Sequence, residues 1–466
     1  MSFINEKLEE FNHYIVGKKV AIIGLGVSNL PLLDYLHTLG AKVTIFDKKK
    51  IEDFSNEIIQ RIKDYQISYF LGENAISHLV GFDIIFRSPS CRPDTPEIVE
   101  ELKRGAILTS EIEMVLELCP GTVIGVTGSD GKTTTTSLIY EILKQQGYSC
   151  YLGGNIGIPL FTKLPEMTPE DMVVLELSSF QLMNMKVSPH VAVITNISPN
   201  HLDIHKSYDE YIESKKNIFR YQKEGDILVL NKDNEITASF AKEAPGKVLF
   251  FSSKQKLDNG IIYDNGIIKE CEDSLRKHIV PTKEVILRGV HNYENICAAI
   301  AATKTLAEEN TIKTAVCQFK GVEHRLEFIR EINGAKWYND SIGTSPTRTI
   351  AGLSSFEEPI VLIAGGYDKH LDYTPIAKPI LEHVKSLILL GATAEKIKKA
   401  VEEEQKKQGK VLDIHLCHTL QEAVAIAKSV SQKGDVVLFS PASASFDMFK
   451  NFAERGNCFK DIVWDL

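Results

Sequence analysis

Along almost the whole chain, short apolar runs rich in β-branched residues alternate with stretches of helical period, the pattern of mainly parallel sheets covered by helices. The alternation restarts twice. KKVAIIG (18–24) reads as a strand, residues 28–39 as a helix, KVTIFD (42–47) as the next strand and FDIIFRSP (82–89) as another. A second series opens at TVIGVTG (122–128) and runs through a helix from Lys132 to about Gln146. It continues with MVVLELSS (172–179), VAVITNI (191–197), DILVLN (226–231) and KVLFFSS (247–253). NGIIYDNGIIKE (259–270) changes the period: its two NGII copies flank an Asp-Asn-Gly turn and predict a β-hairpin, a small antiparallel annex. The third series has strands at KWYND (336–340), PIVLIAGG (359–366), SLILLGA (386–392) and DVVLFSPA (435–442), each followed by a helix. EKIKKAVEEEQKKQGK (395–410) reads as a solvated helix and its exit. The restarts divide the chain into expected domains 1–107, 108–321 and 322–466.

A chain of 466 residues exceeds one ordinary core and fits roughly two to four domains. No apolar run approaches the ~18 residues of a membrane span. MSFINEKLEEFNHY lacks the basic start and apolar stretch of a secretory signal, so a cytoplasmic protein with no membrane partner is expected. Eight cysteines lie singly, at 91, 119, 150, 271, 297, 317, 417 and 458, without a CxxC pair. That favours reduced thiols over a disulfide frame or a zinc site. A net charge of −9 argues against a general nucleic-acid binder and leaves anionic small ligands open.

GVTGSDGKTTTT (125–136) carries the chemistry. The general phosphate-loop pattern puts four residues between its first glycine and Gly-Lys-Thr, but here Val126 stands at that first place and Gly128 and Gly131 lie closer together. The strand still delivers Gly128-Ser129-Asp130-Gly131 to the start of a helix, whose free N–H groups and positive dipole end suit a phosphate. Lys132 is placed to neutralise β/γ oxygens and the Thr133 hydroxyl to ligate Mg²⁺, a hard cation that arrives with a nucleotide. A plain glycine turn would not demand Gly-Lys-Thr at the helix start.

VTGSDGKTTT resembles the T-G-[ST]-x-G-K-[ST] loop of the Mur ligase family, ATP-dependent amide-forming enzymes. Further blocks agree in order: GGNIG (153–157), LELSSFQL (175–182), NHLDIH (200–205), HNYEN (291–295), HRLE (324–327), YNDS (338–341) and SPASASFDMFKNFAERGN (440–457). The resemblance implies three α/β domains: a Rossmann-like N-terminal domain for a uridine-diphosphate substrate, a central P-loop-type ATPase domain with a mainly parallel sheet, and a Rossmann-like C-terminal domain for the amino acid. It is strongest to the branch that adds D-glutamate to UDP-N-acetylmuramoyl-L-alanine in peptidoglycan precursor synthesis. Such enzymes phosphorylate the acid with ATP, and the incoming amine attacks the acyl phosphate through a tetrahedral intermediate. The protein must hold a triphosphate, place two substrates and neutralise charge, without a nucleophilic side chain. A monomer is expected.

The resemblance also implies residue roles. ATP falls to Gly128, Ser129, Asp130, Gly131, Lys132, Thr133 and Thr134, with Asn292, Asn295, Arg325 and Asp340. Two Mg²⁺ sites are implied, Thr133 and Glu176 at one, and Glu176, His201 and a carbamylated Lys215 around the other. Lys132, His201 and Lys215 are the implied catalytic residues. On its own, Lys215 beside Lys216 on a predicted helix 207–221, four residues after Tyr211, reads as an ordinary exposed lysine. The UDP substrate falls to Gly26, Val27, Ser28, Asp47, Ser90, Asn155, Gln181 and His201, and the amino acid to Thr344, Lys369, Ser445 and the backbone near Phe452.

Other readings remain. IIGLGVSN (22–29), with Asp47 about twenty places on, is a dinucleotide fingerprint with Asn29 in place of the third glycine, so an NAD-dependent oxidoreductase is the alternative from another enzyme class. A nucleotide-binding regulator without catalysis would keep Gly131-Lys132-Thr133 and need none of the rest. A sister ligase adding diaminopimelate or lysine is disfavoured because no Asp-Asn-Pro-Arg occurs. Two departures stand out: NDSIGT (339–344) has Ile342 where D-glutamate ligases usually carry lysine, and AGGYDK has Tyr367 where they tend to carry Asp.

Overall fold

The computed structural model describes residues 3–200, 204–273, 275–369 and 371–466, in which the apolar runs assemble into three sheets. The first is wholly parallel, in the order Ser68–Leu71, Lys42–Asp47, Lys19–Ile23, Ile84–Arg87, Ile107–Thr109. Its order reverses between Lys19–Ile23 and Ile84–Arg87, and the crevice outside the carboxyl ends at such a point is where open sheets bind ligands. Val20, Ile22, Ile45 and Phe86 pack beneath it with Leu32, Leu33 and Leu36 of the helix Asn29–Thr38.

The second sheet has nine strands, ordered Leu275–Pro281, Ile267–Glu272, Gly260–Asp264, Lys247–Ser252, Ile227–Asn231, Val191–Ile194, Thr122–Thr127, Met172–Glu176, Cys150–Gly154. All pairs are parallel except the two made by Ile267–Glu272. The expected hairpin is there, with Asn265 and Gly266 both at positive φ, 48° and 79°, the geometry that matches strand twist. It gains a third antiparallel strand that the sequence pattern did not announce.

The third sheet runs Glu327–Ile332, Ala335–Asn339, Val436–Phe439, Ile360–Ala364, Val384–Leu389, Asp413–Leu416, antiparallel only at its first pair. Helices cover both faces, burying Leu353, Ile376, Ile380, Ile397 and Val401 on one and Leu420, Val424, Phe459 and Val463 on the other. The three-part α/β fold with mainly parallel sheets therefore holds. By contacts the chain forms two compact units, Met1–Thr282 with Glu294–Cys317, which contains the first two sheets, and Lys283–Tyr293 with Gln318–Leu466, which contains the third.

Candidate active site

The strand Thr122–Thr127 ends in the glycine loop, and the helix Lys132–Gln146 starts directly from it. Gly128 has φ 152° and Gly131 φ 80°, backbone that side chains rarely adopt. A Cβ on Gly128 would strike the Thr195 hydroxyl, and one on Gly131 the Asn295 amide. Among the described residues no side chain hydrogen-bonds to cap the helix start at Gly131, and the first turn of a helix begun in this way presents its N–H groups toward the loop.

Long-range bonds hold the loop in shape. Ser129 N donates to Asn196 O (2.9 Å), Asp130 N to Asn196 Oδ1 (3.0 Å), and Thr195 Oγ1 to Asp130 O (2.5 Å). Ser129 Oγ meets the Tyr211 hydroxyl at 2.8 Å and takes a bond from Ser198 N at 2.9 Å. Lys132 Nζ folds back onto the carbonyls of Gly128 (2.9 Å) and Ser129 (3.0 Å). Thr133 is half-buried, Thr134 buried, and Asn295 Oδ1 accepts from Thr135 Oγ1 at 3.4 Å.

Beneath the loop lies Lys215, 1% exposed. It sits on the helix Tyr208–Arg220 and donates to Gly128 O (2.8 Å) and Thr127 Oγ1 (3.2 Å), with its amine 4.8 Å from the Tyr211 ring centre. Burial pushes this amine well below the usual lysine range and the Lys132 ammonium adds to the effect, while Glu176 and Asp130 oppose it. Lys216, its neighbour, instead pairs with Glu213 and Glu243. The reading of Lys215 as an exposed lysine is thereby corrected: its helix turns that face inward.

Glu176 closes the strand Met172–Glu176 and is buried. Its Oε1 accepts from Asn155 Nδ2 (2.7 Å), and Oε2 has no hydrogen-bond partner among the described residues. Burial of a bare carboxylate oxygen is costly, so this atom awaits a cation or a donor. Gln181 closes a capping box with Ser178 at the start of Ser179–Leu182. His201 lies outside the described residues.

In the first sheet, Gly26 and Val27 are exposed and Ser28 is partly so, on the loop leaving Lys19–Ile23. Asn29, buried, donates to Gly24 O at 2.8 Å. It thus puts a hydrogen-bonded side chain where the third glycine of a dinucleotide fingerprint would allow helix and strand to pack closely. Asp47 accepts from the amides of Leu25 (2.7 Å) and Lys49 (2.9 Å), and Ser90 bonds Ser88 (2.9 Å) within the segment that leaves Ile84–Arg87.

In the second unit, Asn292 Nδ2 donates to Arg288 O (2.7 Å). Asp340 is buried and accepts from Leu326 N (3.2 Å) and Ser440 Oγ (2.7 Å). Burial pushes its carboxyl up to about 6, against the Ser440 hydroxyl, Arg325, the Leu326 amide and Arg348. Lys369 is exposed, its Nζ 5.7 Å from the Phe446 ring centre. Ser445 is buried, Thr344 half-buried, and the Phe452 carbonyl accepts from Ser341 Oγ at 2.8 Å.

Residues 18–110 match the Mur ligase MurD-like N-terminal domain, 126–303 the Mur ligase middle domain and 324–443 the Mur ligase glutamate ligase domain. The chain is 52% identical over 462 residues to the UDP-N-acetylmuramoylalanine--D-glutamate ligase of Acetivibrio thermocellus, covering 99% of each chain. The chain belongs to the Mur ligase family. The Clostridium kluyveri protein of the same name is 50% identical, over 99% of this chain and 100% of its own. Among solved structures, the fold is similar to UDP-N-acetylmuramate-alanine ligase MurC of Thermotoga maritima (TM-score 0.58, 18% identity, 96% and 99% covered). It is also similar to MurF ligase of Thermotoga maritima in complex with ADP (TM-score 0.55, 20% identity, 97% of each chain).

Other residues of this Mur ligase build the site without announcing themselves in the sequence. Thr195, Asn196 and Tyr211 shape the phosphate loop from 65 or more positions away. Arg455, 2% exposed, binds Ser341 Oγ and the carbonyls of Ser341, Ser443 and Ala444, which fixes the two segments bearing Asp340 and Ser445. At the departed position, Arg348 Nη1 donates to Ile342 O at 3.2 Å, so a guanidinium stands near the place without a lysine.

Proposed function

We propose that this protein joins D-glutamate to UDP-N-acetylmuramoyl-L-alanine at the expense of ATP, in peptidoglycan precursor synthesis. One observation carries the reading: a glycine loop at positive φ opens a helix at Lys132, in a chain about half identical from end to end to relatives so named. A triphosphate would place its terminal oxygens against the amides of Gly131, Lys132, Thr133 and Thr134. The Lys132 ammonium, now on loop carbonyls, would turn to the phosphoryl group and neutralise charge as it passes to the acid. Asn295 braces Gly131; we assign Asn292, Arg325 and Asp340 to the rest of the nucleotide.

The residues fit a divalent cation. The bare, buried Oε2 of Glu176 and the Thr133 hydroxyl are hard oxygen donors, and Mg²⁺ characteristically takes few protein ligands and completes its shell with water and phosphate. Bound there, it would neutralise phosphoryl charge during acyl-phosphate formation. We assign His201 and Lys215 to the same task. Burial lowers the Lys215 pKa and so favours the neutral amine, the form that would add CO₂ to give a carbamate and release a proton. The UDP substrate is assigned to Gly26, Val27, Ser28, Asp47, Ser90, Asn155, Gln181 and His201, and D-glutamate to Thr344, Lys369, Ser445 and Phe452. Lys369, exposed and without an ion pair among the described residues, could pair with a carboxylate. Domains 1–107, 108–321 and 322–466, a monomer and a cytoplasmic site of action go with this assignment.

The test is turnover of pure protein with UDP-N-acetylmuramoyl-L-alanine, ATP, Mg²⁺ and one amino acid at a time, following phosphate release and product mass. D-glutamate alone should support both. Phosphate release with L-lysine or diaminopimelate only would refute the substrate, and none with any amino acid would refute the function.

A further inference from the structure

Arg92 lies in the segment that follows Ile84–Arg87, two residues after Ser90 in the switch-point crevice of the first sheet. Its guanidinium is fully engaged. Nη2 and Nη1 reach the two carboxylate oxygens of Glu210 at 2.6 and 3.1 Å, Nη1 also reaches the Ile204 carbonyl at 2.9 Å, and Nε and Nη2 hold Asp94 at 2.8 and 3.0 Å. Lys206 closes the ring by pairing with Asp94. Glu210 Oε2 in turn accepts the Lys206 amide at 2.7 Å, and Glu210 N is held by Ser207 Oγ at 3.1 Å.

Glu210 stands in the first turn of Tyr208–Arg220, the helix that carries Tyr211 and Lys215. The ion pairs therefore join the segment beside the crevice to the start of the helix whose next turn supports the phosphate loop, through Tyr211–Ser129 and Lys215–Gly128. Arg92, Asp94 and Glu210 are only partly buried, with side-chain exposures of 23, 37 and 26%. Isolated pairs this exposed contribute little to stability, so the convergence of five bonds on one guanidinium matters for orientation rather than for stability. Planar bidentate geometry fixes orientation as well as distance.

We propose that Arg92 and Glu210 are positioning residues, a clamp that sets the register of the Tyr208–Arg220 helix, and so of Lys215, against the substrate crevice of the first sheet. The inference rests on the ligase reading for its kinetic consequence and on geometry alone for its mechanical one. Substrate seated near Ser88 and Ser90 and the amine under the phosphate loop then hold one spacing during the reaction, as catalysis between two bound groups requires.

The test uses Arg92→Gln, Glu210→Gln and the double variant in the full chain. Each single variant should lower kcat about tenfold and leave the KM for ATP within about twofold, and the double variant should be no worse than the poorer single, because both remove one interaction. Amide hydrogen exchange in residues 208–215 should quicken about tenfold in all three, with the global thermal midpoint little changed. Unaltered exchange there overturns the clamp, as does kcat within about twofold of wild type or additive losses in the double variant. Should the unaltered protein turn nothing over, the ligase reading fails while the exchange measurement still decides the clamp.

Discussion

The Lys215 amine donates to the Gly128 carbonyl across 2.8 Å, joining residues 87 positions apart beneath the phosphate loop. Gly128 O also receives Lys132 Nζ at 2.9 Å, so the loop keeps a donor if Lys215 is removed. Lys215→Ala should therefore fold and keep its KM for ATP while kcat falls about a hundredfold or more. If Lys215 carries the proposed carbamate, short carboxylic acids, which can stand in for its oxygens, should restore part of the rate. Steady-state kinetics with and without acetate check this, and an undiminished kcat rejects the role.

Lys132 sits at the first helical position, and the proposed function has its ammonium follow phosphoryl charge. Lys132→Ala should lose about 10²–10³ in kcat with an unchanged circular dichroism spectrum and melting midpoint. A variant that turns over at the wild-type rate removes Lys132 from the reaction.

Gly131→Ala combines two costs. The left-handed backbone costs an alanine about 1–2 kcal/mol, and the new Cβ would collide with the Asn295 side chain. We expect a lower melting midpoint together with a higher KM for ATP, since the loop must shift to admit the methyl group. Alanine at Gly147, also at positive φ but with open space around its Cβ, should lower the midpoint and leave the KM alone.

Glu111 is buried, and its Oε1 accepts the amides of Leu160 and Phe161 at 3.0 Å each. Burial outweighs both bonds and pushes the carboxyl up to about 7 from 4.5. With the folded value above the unfolded one, its contribution is full below 4.5 and is lost as the pH rises through about 7. The swing is about 3 kcal/mol. Glu111→Gln should match wild type in thermal stability near pH 4.5 and exceed it at pH 8; equal midpoints at both pH values would count against the shift.

Lys369→Ala should raise the KM for D-glutamate about 10- to 100-fold, the worth of one charge-assisted hydrogen bond, without moving the KM for ATP. Equal effects on both would show that the change disturbs the fold around Tyr367, whose amide donates to Ala444 O at 2.9 Å, rather than amino-acid binding.

Local chemistry was readable before folding. Lys132–Gln146 begins at its lysine and ends at Gly147 because glycines at both ends supply left-handed backbone and the apolar period lies between. The Asp-Asn-Gly hairpin and the strands Lys42–Asp47 and Thr122–Thr127 followed in the same way. Short or exposed strands did not: Ser68–Leu71 and Asp413–Leu416 lie at sheet edges with little burial, so their side chains carry no alternating pattern, and pairing with a neighbour makes them strands. The helix Glu6–Ile15, rich in acids, is anchored by Leu8, Phe11 and Ile15 against a core built mostly from later residues.

The same division runs through the site. Residue order alone placed Gly128 to Thr134 at a strand-to-helix turn and Glu176 at a strand end, because backbone geometry there depends on near neighbours. Burial of Lys215 beside the ion-paired Lys216, the bare oxygen of Glu176, the Tyr211 brace on Ser129 and the Arg92–Glu210 clamp each needed partners brought from far along the chain. A charge's state depends on what excludes water from it, and only the packed sheets and helices determine that.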